Sequence, residues 1–157
     1  MTEEPVLITR GGLKRLETEL HELKTVRRAE VAAAIREAQE LGPDQLDAQY
    51  EDAKNQQAFL EGRISEIERI LENAAIIDEA SAAKSKLVQV GSTVTVKHKS
   101  GKSQKYQVVG PAEADPIQGR ISHKSPVGRA LLGKKRGDKV VIKAPAGDVE
   151  LTVTTIA

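Results

Sequence analysis

Two aspartates, Asp44 and Asp47, stand three residues apart just after the dipeptide Gly42-Pro43, with Glu51 and Asp52 close behind. Carboxylates are hard oxygen donors, and two of them on one helical face can bind a divalent cation that has open positions elsewhere. They do not complete a site alone, because Mg²⁺ demands an octahedral set of oxygens. The same residues have a second explanation. Aspartates favour helix N-termini, where they cap backbone N–H groups and face the positive end of the helix dipole. The spacing leaves both readings open.

Other chemistries find less support. His21, His98 and His123 are far apart and share no metal-ligand spacing, which leaves packing or surface roles. Gly133-Lys134-Lys135 lacks the glycine-rich loop that cradles phosphate. Lys134-Lys135-Arg136 runs into Gly137-Asp138 and reads as a solvated turn that adds to a basic field. No aromatic residues interleave these cations, so there is no base-stacking platform. With no cysteine, disulfides and thiolate chemistry are excluded, and no nucleophile–base–orienter triad can be nominated.

The elements that must position the aspartates are two helices. Leu13, Leu16, Leu20 and Leu23 step by three and four, and Val31, Ile35 and Ala38 resume the stripe after Arg27. Thr9 is the expected N-cap, with Gly11 and Gly12 weakening the first turn. Gly42-Pro43 ends the run, since proline cannot continue the helical hydrogen bonding. A second stripe runs Leu46, Tyr50, Ala53, Gln57, Leu60, Ile64, Ile67, Leu71 and Ala74, a coiled-coil seam with one polar interruption at Gln57. Neither helix can bury its stripe alone, so the expected outcome is an antiparallel hairpin projecting about 40 Å, with the acidic pair at its tip. Pairing of the seam between two chains is the alternative; the Gly-Pro break favours a hairpin within one chain, hence a monomer.

Composition agrees with thin aliphatic layers: 39% of residues are apolar, but only Tyr50, Phe59 and Tyr106 are aromatic. The net charge of +1 conceals an asymmetry. Residues 1–83 hold 18 Asp+Glu against 10 Lys+Arg, a net −8, while residues 84–157 hold 14 Lys+Arg against 5 Asp+Glu, a net +9. Halves of opposite sign suggest two domains facing different surroundings, although a solvated surface on each explains the charge equally well. The start, MTEEPVLITR, lacks a basic region followed by an apolar one, and no apolar run approaches a membrane span. The chain reads as soluble and cytoplasmic, with no membrane partner.

After a small, polar stretch at 79–86, read as a linker, the period changes. Val88-Gln89-Val90, residues 93–96, 107–109, 140–142 and 149–153 are short β-branched runs punctuated by glycine turns. Ser125-Pro126 should open a short helix over Val127 to Leu132. The fold class is therefore α+β: an N-terminal antiparallel coiled-coil hairpin over 1–78 and a C-terminal β-rich domain over 87–157.

Several blocks carry a resemblance. Ile35-Arg36-Glu37-Ala38, Gly42, Ala48, Tyr50, Ala53-Lys54, the run from Gln57 to Ile64, Glu66-Ile67-Glu68 and Asn73-Ala74 resemble the amino-terminal hairpin of the bacterial Gre transcript-cleavage factors. The run from Val108 to Asp115, Ile121-Ser122, Ser125 to Lys135, and Gly137-Asp138 are similar to the same family's second half. The resemblance implies a carboxy-terminal FKBP-like domain that docks at the rim of the RNA polymerase secondary channel. It further implies a hairpin inserted into that channel, and tip carboxylates that help hold a Mg²⁺ shared with the polymerase active centre. Nascent RNA with a backtracked 3′ end would then be hydrolysed by a two-metal route. Such a protein donates ligands and is not itself an enzyme. Carried onto this chain, the metal-holding pair is Asp44 and Asp47. Polymerase docking falls on Pro126 and Leu131, with a core role for Leu131 and a helix-start role for Pro126 as the alternatives. An RNA-facing basic flank falls on Arg27, Arg28, Arg36 and Lys54, with pairing to hairpin glutamates as the alternative.

The tip departs from the family pattern Gly-Asp-Leu-x-Glu-Asn-Ala-Glu-Tyr. Between Gly42 and Tyr50, Pro43 takes the place of the first acid and Leu46 of the second, and acids reappear one position later as Asp44 and Asp47. One residue along a helix rotates a side chain by about 100°. Either Pro43 re-forms the loop and restores the pair in a new register, or the factor occupies the channel without stimulating cleavage. A prolyl isomerase reading of the FKBP-like half fails on composition. Such a pocket is lined by aromatics, and residues 84–157 contain only Tyr106.

Overall fold

The computed structural model of the protein describes residues 4–41 and 43–157, the side chains of residues 43–47 excepted. The chain divides into two compact units: Leu13–Asn73, and the residues up to Gly12 together with Ala74–Ala157.

The first unit is the expected hairpin. Helix α1 (Arg10–Glu22) passes through a π-helical turn (Leu23–Arg27) into α2 (Arg28–Gln39), and α3 (Pro43–Glu72) returns. The stripe explains the π-turn. From Leu13 to Leu23 the steps alternate three and four, but reaching Val31, Ile35 and Ala38 requires one residue more than a heptad supplies. A π-turn absorbs one extra residue, so the apolar face stays toward α3. Val31, Leu60 and Ile64 are buried there, with Leu20, Leu23 and Ile35 packed against them. Polar bridges flank this seam: Arg63 reaches Glu19 at 2.8 Å and Lys24 reaches Glu68 at 2.7 Å.

The second unit contains a five-stranded sheet in the order β5-β4-β3-β7-β6. Its strands are β3 (Thr93–His98), β4 (Ser103–Val109), β5 (Arg120–Ser122), β6 (Lys139–Ile142) and β7 (Val149–Ile156). Within this sheet only the β4–β5 pair is parallel. Alternation places Val94, Val96, Val108, Leu151 and Val153 on one buried face, where they pack with Val88, Ile121, Val140 and Leu131 of the short helix α5 (Pro126–Leu131). The strand runs at 93–96, 107–109, 140–142 and 149–153 all fall within these elements. Val88-Gln89-Val90 does not form a strand. Beside it Leu87 makes an isolated bridge to Lys135, and Gly91 turns the chain at φ 101°. A side chain at Gly91 would also meet Ile77 Cγ2 at 2.7 Å.

The expected domain limits of 1–78, 79–86 and 87–157 require correction. Strand β1 (Val6–Ile8) pairs in parallel with β2 (Ala74–Ile76), which joins both ends of the hairpin sequence to the β-rich unit. Ile8, Ile77 and Ala82 are buried there. Residues 79–86 are not simply a linker either: α4 (Glu79–Lys84) forms because the Asp78 side chain accepts from Ser81 N–H at 3.0 Å.

Candidate functional site

Helix α3 begins at Pro43, a position where proline's fixed φ suits the helix and its missing N–H costs no bond. Asp44 and Asp47 are therefore three apart within helical backbone. Their side chains, and with them any ligand geometry, lie outside the described residues. Among the described residues no group of three or more His, Asp or Glu side chains could hold a metal ion.

The four flanking cations are all exposed but differ in their partners. Arg28 grips Glu61 with two bonds of 2.9 and 2.8 Å. That hydrogen bonding raises the guanidinium pKa and lowers that of the carboxyl. Arg27 meets Glu30 at 2.6 Å, and Lys54 donates to Gln57 at 3.1 Å. Arg36 has no ion pair among the described residues. Pairing with hairpin glutamates thus accounts for two of the four. Beside them, Phe59 is 86% exposed, and a side chain at Gly62 would meet nothing within 4 Å. The run from Gln57 to Ile64 contains both residues, yet its periodicity gives no sign of this open apolar spot.

In the β-rich unit, Ser125 Oγ accepts from Gly128 N–H at 3.1 Å and caps α5, with Pro126 exposed at the first helical position. Leu131 is 0% exposed and belongs to the core. This corrects its assignment as a docking contact, because a side chain without accessible surface cannot touch a partner. Gly128 permits close packing of α5, since a Cβ there would stand 2.0 Å from Ser122 O. His123 lies at the end of this segment, its imidazole held below the usual range by burial first and by Lys124 second.

Glu113, which sequence reasoning left without a role, is buried. Its carboxylate accepts from Thr9 N–H at 2.6 Å and from the Thr9 hydroxyl. Thr9 Oγ1 in turn accepts from Gly12 N–H at 3.1 Å, the expected N-cap bond of α1. Only a glycine fits at 12, where a Cβ would stand 2.5 Å from the Glu113 carboxylate. The matched run from Val108 to Asp115 contained the signal, but not its buried partner.

The fold, a helical hairpin and a β-rich domain, does not define a function by itself, and family comparison supplies the class. Residues 6–76 match the model described as transcription elongation factor, N-terminal, and residues 83–157 match transcription elongation factor, GreA/GreB, C-term. The chain belongs to the GreA/GreB family. It is 48% identical over 154 residues to transcription elongation factor GreA of Thermoanaerobacter pseudethanolicus, covering 98% of each chain. It is 47% identical over 157 residues to GreA of Chloroflexus aggregans, covering 99% of each. Among solved structures, GreA factor homolog 1 of Thermus thermophilus is 35% identical over 99% of each chain, with a TM-score of 0.46.

Proposed function

We propose that this transcription elongation factor binds RNA polymerase at the secondary channel and stimulates cleavage of backtracked nascent RNA through Asp44 and Asp47. The observation that carries this reading is the helical backbone starting at Pro43, which keeps the two acids three residues apart at the hairpin turn. Full-length similarity to proteins named transcription elongation factor GreA supports the partner.

In this reading the β-rich domain docks by the exposed start of α5 at Pro126, and Leu131 holds that helix from beneath. The hairpin carries the acidic pair to the polymerase active centre. Two carboxylates fit a divalent ion only as partial ligands, so the ion is shared with polymerase and is not resident in the free protein. A Mg²⁺ held there supplies the Lewis acidity that two-metal phosphodiester hydrolysis needs. Asp44 and Asp47 position oxygens toward it. Arg36 is the flank cation left to meet RNA phosphate, while Arg27, Arg28 and Lys54 first give up their present partners.

The test is Mg²⁺-dependent cleavage in stalled polymerase complexes, comparing wild type with Asp44→Ala/Asp47→Ala. Cleavage lost in the double variant, with polymerase binding intact, supports the shifted pair as metal donors. A second reading, occupancy of the channel without cleavage, draws on Pro43 and Leu46 standing where the family pattern has acids. It predicts binding and slowed synthesis with no cleavage by either protein.

A further inference from the structure

We propose that a cationic depression in the β-rich unit is a docking site for an acidic polypeptide segment carrying an apolar side chain. The depression, about 560 Å³, is lined by Lys84, Lys86, Leu87, Lys135, Arg136 and Ile156, among others. Backbone bonds bring its two basic segments side by side: Val88 N–H donates to Lys134 O at 2.9 Å, and Gly133 N–H donates to Val88 O at 2.8 Å. An isolated bridge joins Leu87 to Lys135. Among the described residues none of the four cations makes an ion pair with a carboxylate within 4 Å. Asp138, the nearby acid, is occupied in accepting from Lys135 N–H at 2.8 Å.

Four unneutralised cations around one concavity raise the local potential and favour an anionic partner. Leu87 decides which kind. It is 43% exposed in the middle of these charges, with Ile156 half-buried beside it. A nucleic-acid backbone would set charged phosphates against both aliphatic side chains, and no aromatic ring lines the depression to stack a base. An acidic peptide with one apolar anchor satisfies the cations and covers Leu87 together, the arrangement of an apolar interface centre inside a charged rim. The site shares no residue with the hairpin tip, so it stands or falls independently of the cleavage reading.

The experiment is fluorescence anisotropy of the full chain with a labelled peptide, Glu-Asp-Glu-Leu-Leu-Glu-Asp-Glu, against a Gly-Ser version of its centre and a labelled duplex DNA. Binding of the leucine peptide should weaken about tenfold or more in Lys86→Glu/Lys135→Glu, and weaken with added salt. Leu87→Ser should remove the preference for leucine over Gly-Ser. Circular dichroism checks that each variant folds, and Arg136→Ser serves if the double variant does not. Absence of peptide binding, tighter binding of the duplex, or affinity unchanged by the cation substitutions would overturn the proposal.

Discussion

The Glu113 carboxylate accepts both the backbone N–H and the hydroxyl of Thr9, a residue 104 positions earlier in the chain. One buried acid thereby fixes the residue that caps helix α1. Replacing it with alanine leaves buried donors without an acceptor, which should destabilise the protein by about 2–3 kcal/mol. Urea unfolding of Glu113→Ala checks this, and a loss below about 0.5 kcal/mol would remove Glu113 from any structural role.

Gly110 and Gly62 should respond to alanine in opposite directions. A Cβ at Gly110 would lie 1.5 Å from Leu7 O, so β1 must move, at a cost of about 3 kcal/mol or more. At Gly62, inside α3, a Cβ meets only open space, and alanine should stabilise by about 0.5–1 kcal/mol through helix propensity. Thermal melts of the two variants, with amide exchange at Leu7 and Ile8, test the pair.

His123 gives a pH dependence. Burial lowers its folded pKa, so the unfolded chain takes up a proton first as pH falls. Its contribution to stability is full above about pH 6.5 and declines as pH drops below that value toward the folded pKa. His123→Gln should flatten the stability curve between pH 7 and 5, read from urea midpoints.

Arg63 holds Glu19 at 2.8 and 3.0 Å across the hairpin and Glu66 at 3.0 Å along α3. These groups remain more than a third exposed, so solvent screens them, and Arg63→Ala should cost only about 1 kcal/mol. A double-mutant cycle with Glu19→Ala, repeated at high salt, should show the coupling shrink.

At the tip, Pro43→Asp together with Leu46→Glu restores the family's spacing of acids. If the shifted pair works poorly, polymerase complexes holding this variant should cleave backtracked RNA faster than those holding wild type. Equal stimulation above the rate of polymerase alone would mean that Asp44 and Asp47 already serve as well.

The hairpin was legible because a seam of apolar steps leaves a coiled coil few alternatives, and Thr9, Ser125 and Pro126 marked helix starts that the structure keeps. The β1–β2 pairing was not legible. Three-residue strands carry no period, and their partners are remote in the chain. Helix α4 hid in an alanine- and serine-rich stretch whose only signal was Asp78 three residues before Ser81. Val88-Gln89-Val90 had strand composition, but Gly91 turns the chain before a ladder can form. At the candidate site, the spacing of Asp44 and Asp47 and the pairing of Arg28 were open to sequence reasoning. The core role of Leu131 and the helix-start role of Pro126 were open alternatives there, and only the burial of Leu131 decides for the first.

The π-turn at Leu23–Arg27 makes the ascending arm of the hairpin two segments with a phase offset between them. Deleting one residue within it would let α1 and α2 run on as one α-helix with the heptad unbroken, whereas deleting one elsewhere in α2 would rotate the rest of that helix by about 100°. In the first case Val31 and Ala38 stay in the seam with Leu16, and in the second the residues beyond the deletion leave it. The turn therefore acts as a register mark: it fixes which face of the rod leads on the way to the tip, as a keyway fixes the orientation of a shaft.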